Sequence, residues 1–227
     1  MINERIDNLL PVLVERLDTS LLLPHHGVIF QGQGGEDGDN SLYFVGKGDC
    51  KVNVRDNTGK EHFVRRLDEG DHFGEVSIIY NCTRTATVIS MNYNTFAVMT
   101  QPLYRRLIQD YPEYENCLKK HVTNTYRDSR VQFLIDTVRR VEYLSETPID
   151  IIYELIFTFK SVSYDKDSTI FNMNSVIDSI YFIEEGKVEV STEFEGNDFI
   201  LDTLYPGTAL NFRAAFLRDH MYVNMRA

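Results

Sequence analysis

Two residues nine positions apart, Glu75 and Arg84, are the pair in this chain whose types and spacing suggest chemistry. They lie in the stretch Gly70-Asp71-His72-Phe73-Gly74-Glu75-Val76-Ser77-Ile78-Ile79-Tyr80-Asn81-Cys82-Thr83-Arg84-Thr85-Ala86-Thr87-Val88. Gly74 permits close backbone approach, and the apolar run Val76, Ile78, Ile79 is long enough for one or two helical turns. A helix starting there aims its first-turn N–H groups at whatever precedes it, and such an end attracts phosphate. Arg84 offers a planar fork suited to phosphate oxygens. A carboxylate beside a phosphate needs a separate donor, for which a ribose hydroxyl is the natural candidate. The residues read as an anion cradle, and the competing reading is a Glu75–Arg84 salt bridge closing an ordinary turn.

The run Phe73-Gly74-Glu75 followed by Arg84-Thr85-Ala86-Thr87-Val88 resembles the phosphate-binding cassette of the cyclic-nucleotide-binding domain family. Within it, 80–88 is particularly similar to the cassette of cyclic-GMP-dependent protein kinases. The resemblance implies that Glu75 holds the ribose 2′-OH and Arg84 the cyclic phosphate. It further implies a ligand site formed by Phe73, Gly74, Glu75, Val76, Ser77, Thr83, Arg84, Thr85 and Ala86. A lid helix would place Val122, Thr125 and Arg127 over the base. Thr85 follows the phosphate arginine, and its hydroxyl can accept from the guanine amino group, which favours cyclic GMP over cyclic AMP.

The elements around the cassette are those of a β-roll. Short β-like runs at 21–23, 28–30, 42–45, 50–54, 62–66, 87–89 and 95–99 suggest a sandwich or roll. An interrupted helical period occupies 2–17, with Pro11 inside it. Helices are predicted over 101–110 and 113–130, separated at Tyr111-Pro112, and further helical pattern runs from 131 to 159. The glycine-rich segment 32–40 reads as a loop. Asp37 and Asp39 are conceivable calcium ligands there, but no distal bidentate glutamate follows at helix-loop-helix spacing. His25 and His26 adjoin a turn and do not chelate one metal together. No His-x-His with a following glutamate occurs, which weakens a cupin-like metalloenzyme reading substantially.

A second copy follows. The pattern 28–30 then 41–52 recurs as 169–171 then 179–190, and Leu67-Asp68-Glu69-Gly70 recurs as Leu204-Tyr205-Pro206-Gly207. Setting Gly207 on Gly70 puts Asn211 at Gly74, Phe212 at Glu75 and Met221 at Arg84. The acceptor and the donor are both replaced by apolar residues, so the second copy is expected not to bind a cyclic nucleotide. It is also expected to be incomplete, ending soon after its cassette and lacking its lid, as in a fragment of a longer protein.

The expected organisation is an N-terminal helical segment (1–20), a ligand-binding domain with lid helices (21–130, cassette 70–88), a helical bridge (131–160) and a degenerate second domain (161–227). The fold class is mainly β with flanking helices, two tandem jelly rolls. Composition agrees with a folded chain of 227 residues. A net charge of -11 argues against nucleic acid as partner. Three dispersed cysteines indicate neither a zinc site nor a disulfide set, and fit a reducing compartment. No apolar run reaches bilayer length and no signal peptide is evident. The location expected is therefore the cytoplasm, or the cytosolic face of a membrane protein.

No nucleophile, general-base pair or metal set recommends an enzyme, and no cofactor is implied beyond the ligand, cyclic GMP or cyclic AMP. The partner expected is an attached effector outside this chain, with oligomerisation through the parent protein. A cyclic-nucleotide-regulated ion channel is favoured by the Tyr111-Pro112 junction, the long bridge and a layout similar to tandem-domain channels of ciliated protists. A cyclic-GMP-dependent protein kinase is the alternative, favoured by the cassette. A ligand-free structural or interaction module is the alternative from another class.

Overall fold

The computed structural model describes residues 10–227 except 12, 36, 37, 57, 58, 127 and 128. The chain divides into two compact units, Met1–Thr125 and Tyr126–Ala227.

In the first unit eight strands form two four-stranded sheets, ordered β1-β8-β3-β6 and β2-β7-β4-β5. The strands are β1 (Asp18–Leu22), β2 (Gly27–Ile29), β3 (Leu42–Lys47), β4 (Cys50–Arg55), β5 (Glu61–Leu67), β6 (His72–Phe73), β7 (Thr87–Ser90) and β8 (Asn94–Met99). Side-chain alternation drives the closure. Val45, Cys50, Val52, Leu67, Phe73, Val88, Phe96 and Val98 point between the sheets and form one buried cluster. The opposite face of β3 and β8 gives Leu42 and Met99 to a second cluster under the helices. β1 starts at Asp18, inside the predicted N-terminal helical segment, because Asp18 through Leu22 pair antiparallel with Val98 through Asn94.

Beside the strands lie helices α1 (Glu75–Tyr80), α2 (Gln101–Asp110) and α3 (Glu113–Thr125). Ile78 and Ile79 of α1, Leu103 and Leu107 of α2 and Leu118 of α3 all join the second cluster. The predicted helix over 113–130 is not continuous. It stops at Thr125, and the Tyr126 carbonyl instead accepts a bond from the Tyr153 hydroxyl at 3.2 Å, within the second unit.

The second unit opens with helices α4 (Ser129–Arg139) and α5 (Ile149–Thr158) around a 3-10 turn, Glu142–Leu144. Its β part is a four-stranded sheet, ordered β12-β11-β14-β9, and a two-stranded sheet, β10-β13. These strands are β9 (Thr169–Phe171), β10 (Tyr181–Phe182), β11 (Val188–Phe194), β12 (Asn197–Leu204), β13 (Ala209–Leu210) and β14 (Asn224–Arg226), with α6 (Phe212–Leu217) between the last two.

The registers reproduce the sequence duplication residue by residue. Val52 faces Val88 in the first unit and Val190 faces Met225 in the second. Tyr43 faces Phe73, and Tyr181 faces Leu210. The β4–β5 ladder is bulged after Val52 and the β11–β12 ladder after Val190. Helices α4 and α5 belong to this second unit: Arg130 forms an ion pair with Glu184, and Phe159 stacks on Phe182 with ring centroids 5.1 Å apart.

Candidate functional site

Phe73 anchors the start of the cassette. It is buried and stacks on Tyr43 with centroids 5.1 Å apart. The chain then turns through Gly74, whose left-handed backbone (φ 89°, ψ 6°) caps α1. A Cβ at Gly74 would lie 2.6 Å from Arg84 Nη1 and 2.8 Å from the Ser41 carbonyl. Glycine is required here by both conformation and space.

Helix α1 presents its first-turn amides from Glu75, Val76 and Ser77, which have no partner within the helix. Glu75 is 4% exposed and sits at this N-terminal end, where the helix dipole favours a carboxylate. Val76 and Ile78 turn inward and fix the helix, and Asn81 ends it in a left-handed conformation.

Arg84 reaches back across α1. It is 3% exposed. Nη1 donates to Ser77 Oγ at 2.6 Å and to the Gly74 carbonyl at 3.3 Å, while Nη2 donates to the Asp39 carbonyl at 3.0 Å. Its guanidinium carbon lies 5.9 Å from the centre of the Tyr43 ring, a cation–π arrangement. Burial pulls its pKa down, while Tyr43, Asp39, Cys82 and Glu75 pull the other way. Arginine stays charged under these influences. The result is a buried cation held by a hydroxyl and two carbonyls, with no carboxylate among these three acceptors.

The remaining cassette residues divide by exposure. Thr83 and Thr85 are exposed, and Ala86 packs against the core. The Arg84 backbone is pinned on both sides, its N–H to the Gln33 carbonyl at 2.7 Å and its carbonyl to the Gly32 N–H at 2.8 Å. Three participants escaped the sequence reading: Asp39, Ser41 and Tyr43. The Asp39 carboxylate accepts from the Ser41 amide at 2.9 Å, so it shapes the loop. A cavity of about 420 Å³ adjoins the cassette at Asp39, Ser41 and Tyr43. Glu75 and Arg84 are not among its lining residues.

Residues 24–111 and 161–227 match the family model described as "Cyclic nucleotide-binding domain". The chain belongs to the cyclic nucleotide-binding domain family. It is 29% identical over 161 residues to the cAMP-dependent protein kinase regulatory subunit of Dictyostelium discoideum, covering 70% of this chain and 44% of that protein. It is 28% identical over 203 residues to cGMP-dependent protein kinase 2 of Homo sapiens, covering 88% of this chain and 23% of the kinase. The chain thus spans less than half the length of either relative. Among solved structures, the Thermus thermophilus catabolite activator protein aligns with a TM-score of 0.48 at 19% identity, over 57% of this chain and 62% of that one.

The second cyclic nucleotide-binding segment keeps the backbone frame of the cassette and discards its polar chemistry. The Met221 N–H binds the Ser175 carbonyl at 3.0 Å, and its carbonyl accepts from Asn174 at 2.7 Å, as Arg84 does with Gln33 and Gly32. Met221 itself is 4% exposed and packs with Leu210, Val190 and Met225. Asn211 takes the place of Gly74, also left-handed at φ 52°, and its amide donates to the Ser179 carbonyl at 2.9 Å. That carbonyl corresponds to Ser41, so the asparagine side chain uses the space glycine leaves open. Phe212, in the place of Glu75, instead faces Tyr143, with ring centroids 6.3 Å apart.

The lid candidates have different fates. Val122 is 0% exposed, packed within the unit. Thr125 is exposed and its hydroxyl donates to the His121 carbonyl at 2.9 Å. Arg127 lies outside the described residues. Among the described residues no group of three His, Cys, Asp or Glu is placed to hold a metal, and no helix is long and apolar enough to cross a membrane.

Proposed function

We propose that the first unit binds one cyclic nucleotide and that the second unit binds none, serving as an interaction or relay surface. The observation that carries this reading is Arg84, buried yet cationic, held against the first turn of α1 by Ser77 and Gly74. In this reading Arg84 and the α1 amides hold the cyclic phosphate, Glu75 holds the ribose 2′-OH, and Thr83, Thr85 and Ala86 line the site. Phe73 and Gly74 set its floor, and Val122, Thr125 and Arg127 belong to the lid. Ligand then stabilises the form in which cassette and lid helices are packed together, a population shift that an attached effector senses.

Cyclic GMP is favoured over cyclic AMP through Thr85, which is exposed beside Arg84. One neutral hydrogen bond contributes about 0.5–1.5 kcal/mol, roughly threefold to tenfold in affinity. The names of the two curated relatives support a protein kinase as the effector. An ion channel is the second reading, supported by the α2–α3 junction at Tyr111-Pro112.

Calorimetry with cyclic GMP tests the assignment. Arg84→Ala, checked for folding by circular dichroism, should bind at least about thirtyfold more weakly, since a charged contact of roughly 2 kcal/mol is lost. Unchanged affinity in a folded Arg84→Ala would sink the assignment.

A further inference from the structure

Helix α1 ends at Asn81, whose backbone is left-handed (φ 49°, ψ 39°). Asparagine tolerates this conformation better than other residues with a Cβ. Its side chain also joins three segments. Asn81 Oδ1 accepts from Asn40 Nδ2 at 3.2 Å and from Gln101 Nε2 at 2.7 Å. Asn40 is fully buried and clamps Gly35 from both sides, accepting from its N–H at 3.1 Å and donating to its carbonyl at 2.8 Å. Gln101 is the first residue of α2. One residue before Asn40, the Asp39 carbonyl accepts from Arg84.

The loop ending at Asn40 is therefore gripped twice from the cassette, by the Arg84 guanidinium at Asp39 and by Asn81 at Asn40. Asn81 in turn holds the first turn of α2. We propose that Asn81 is the positioning residue through which occupancy of the anion site is felt by α2 and α3, with the Gln101–Asn81 hydrogen bond as the joint. This rests on the cyclic-nucleotide reading of the first unit.

The physical argument is a competition for donors. A phosphate on Arg84 draws the guanidinium N–H groups that otherwise reach the Asp39 carbonyl, and the change falls on the segment carrying Asn40. The apolar contacts between α1 and the later helices are non-directional and allow sliding. A hydrogen bond loses strength steeply when its angle or length changes, so the polar joint fixes the register of α2 on the cassette.

Hydrogen exchange on the full chain, with and without cyclic GMP and separately with cyclic AMP, tests this with three variants. Asn81→Gly keeps the left-handed backbone and removes the acceptor. Gln101→Leu removes the donor at an element end, and Asn81→Asp keeps an oxygen acceptor. In wild type and Asn81→Asp, ligand should slow exchange in both 75–84 and 101–125. In Asn81→Gly and Gln101→Leu, protection should persist in 75–84 and fall by more than half in 101–125. Full protection of 101–125 in both of these variants, or wild-type protection confined to 75–84, overturns the joint while leaving the binding reading intact. Neither nucleotide protecting 75–84 in wild type overturns the binding reading, and the joint with it.

Discussion

Arg84 Nη1 stands 2.6 Å from Ser77 Oγ, which makes the buried arginine and the cassette helix one hydrogen-bonded piece. Ser77 is nearly inaccessible to water, so the bond forms where a lost partner is not replaced by solvent. Ser77→Ala should lower the stability of the first unit by about 1.5–3 kcal/mol, the range for a hydrogen bond to a charged group. Urea denaturation of wild type and variant measures it. A shift below a few tenths of a kcal/mol would show that the bond has no energetic role.

Gly74→Ala introduces two faults at once. A side chain is forced into the left-handed region, at about 1–3 kcal/mol, and its Cβ would sit 2.8 Å from a backbone oxygen that cannot swing away. Reduced stability together with weaker cyclic GMP binding is expected, because the same Cβ presses on Arg84. Denaturation and calorimetry on the variant read the two effects separately.

Ligand stoichiometry should be one per chain. The second unit keeps the cassette backbone but has Phe212 and Met221 where the first has Glu75 and Arg84. Isothermal titration showing two equivalent sites would refute the assignment of the second unit.

Met221→Arg should not restore binding there. Its side chain lies among Leu210, Val190 and Met225, and a guanidinium in that cluster would lack acceptors. An uncompensated buried charge costs about 3–5 kcal/mol, so the second unit should lose stability. A thermal melt of the variant unchanged from wild type would contradict this packing.

The cysteines give a pH dependence. Burial pushes Cys50 from an ordinary 9.0 up to about 12, with Asp49 adding to it, and Cys82 up to about 11. The folded chain holds these protons more tightly than the unfolded chain does. The resulting stabilisation is complete below about pH 9 and is lost as pH rises through about 11 and 12. Denaturation midpoints measured between pH 8 and 11 should fall across that window. In the native protein at pH 8 a thiol reagent should label exposed Cys117 first, with Cys50 and Cys82 reacting on unfolding.

What the sequence by itself determined is what depends on residue type and short-range pattern. The alternation in Cys50-Lys51-Val52 and Phe96-Ala97-Val98 marks strands with one buried face, and those strands formed. Helix α2 lies where the proline junction put it, at Gln101–Asp110. The duplication was legible as recurring residues, and the pairing of Val52 with Val88 and Val190 with Met225 shows that it extends to register. The cassette was marked by a family resemblance carried on Phe73-Gly74-Glu75 and Arg84-Thr85-Ala86-Thr87-Val88 together.

Only the tertiary structure decided which distant groups meet there. Asp39 and Tyr43 approach Arg84 because β3 crosses beside β6, a relation that local spacing does not encode. The joint of Asn40, Asn81 and Gln101 has the same origin: three polar residues far apart in the chain carry no periodic signal, and the buried Asn40 needs partners that only the fold brings within reach. The helix ends at Thr125, and the Tyr126 carbonyl accepts from Tyr153, a partner far along the chain that local pattern does not encode.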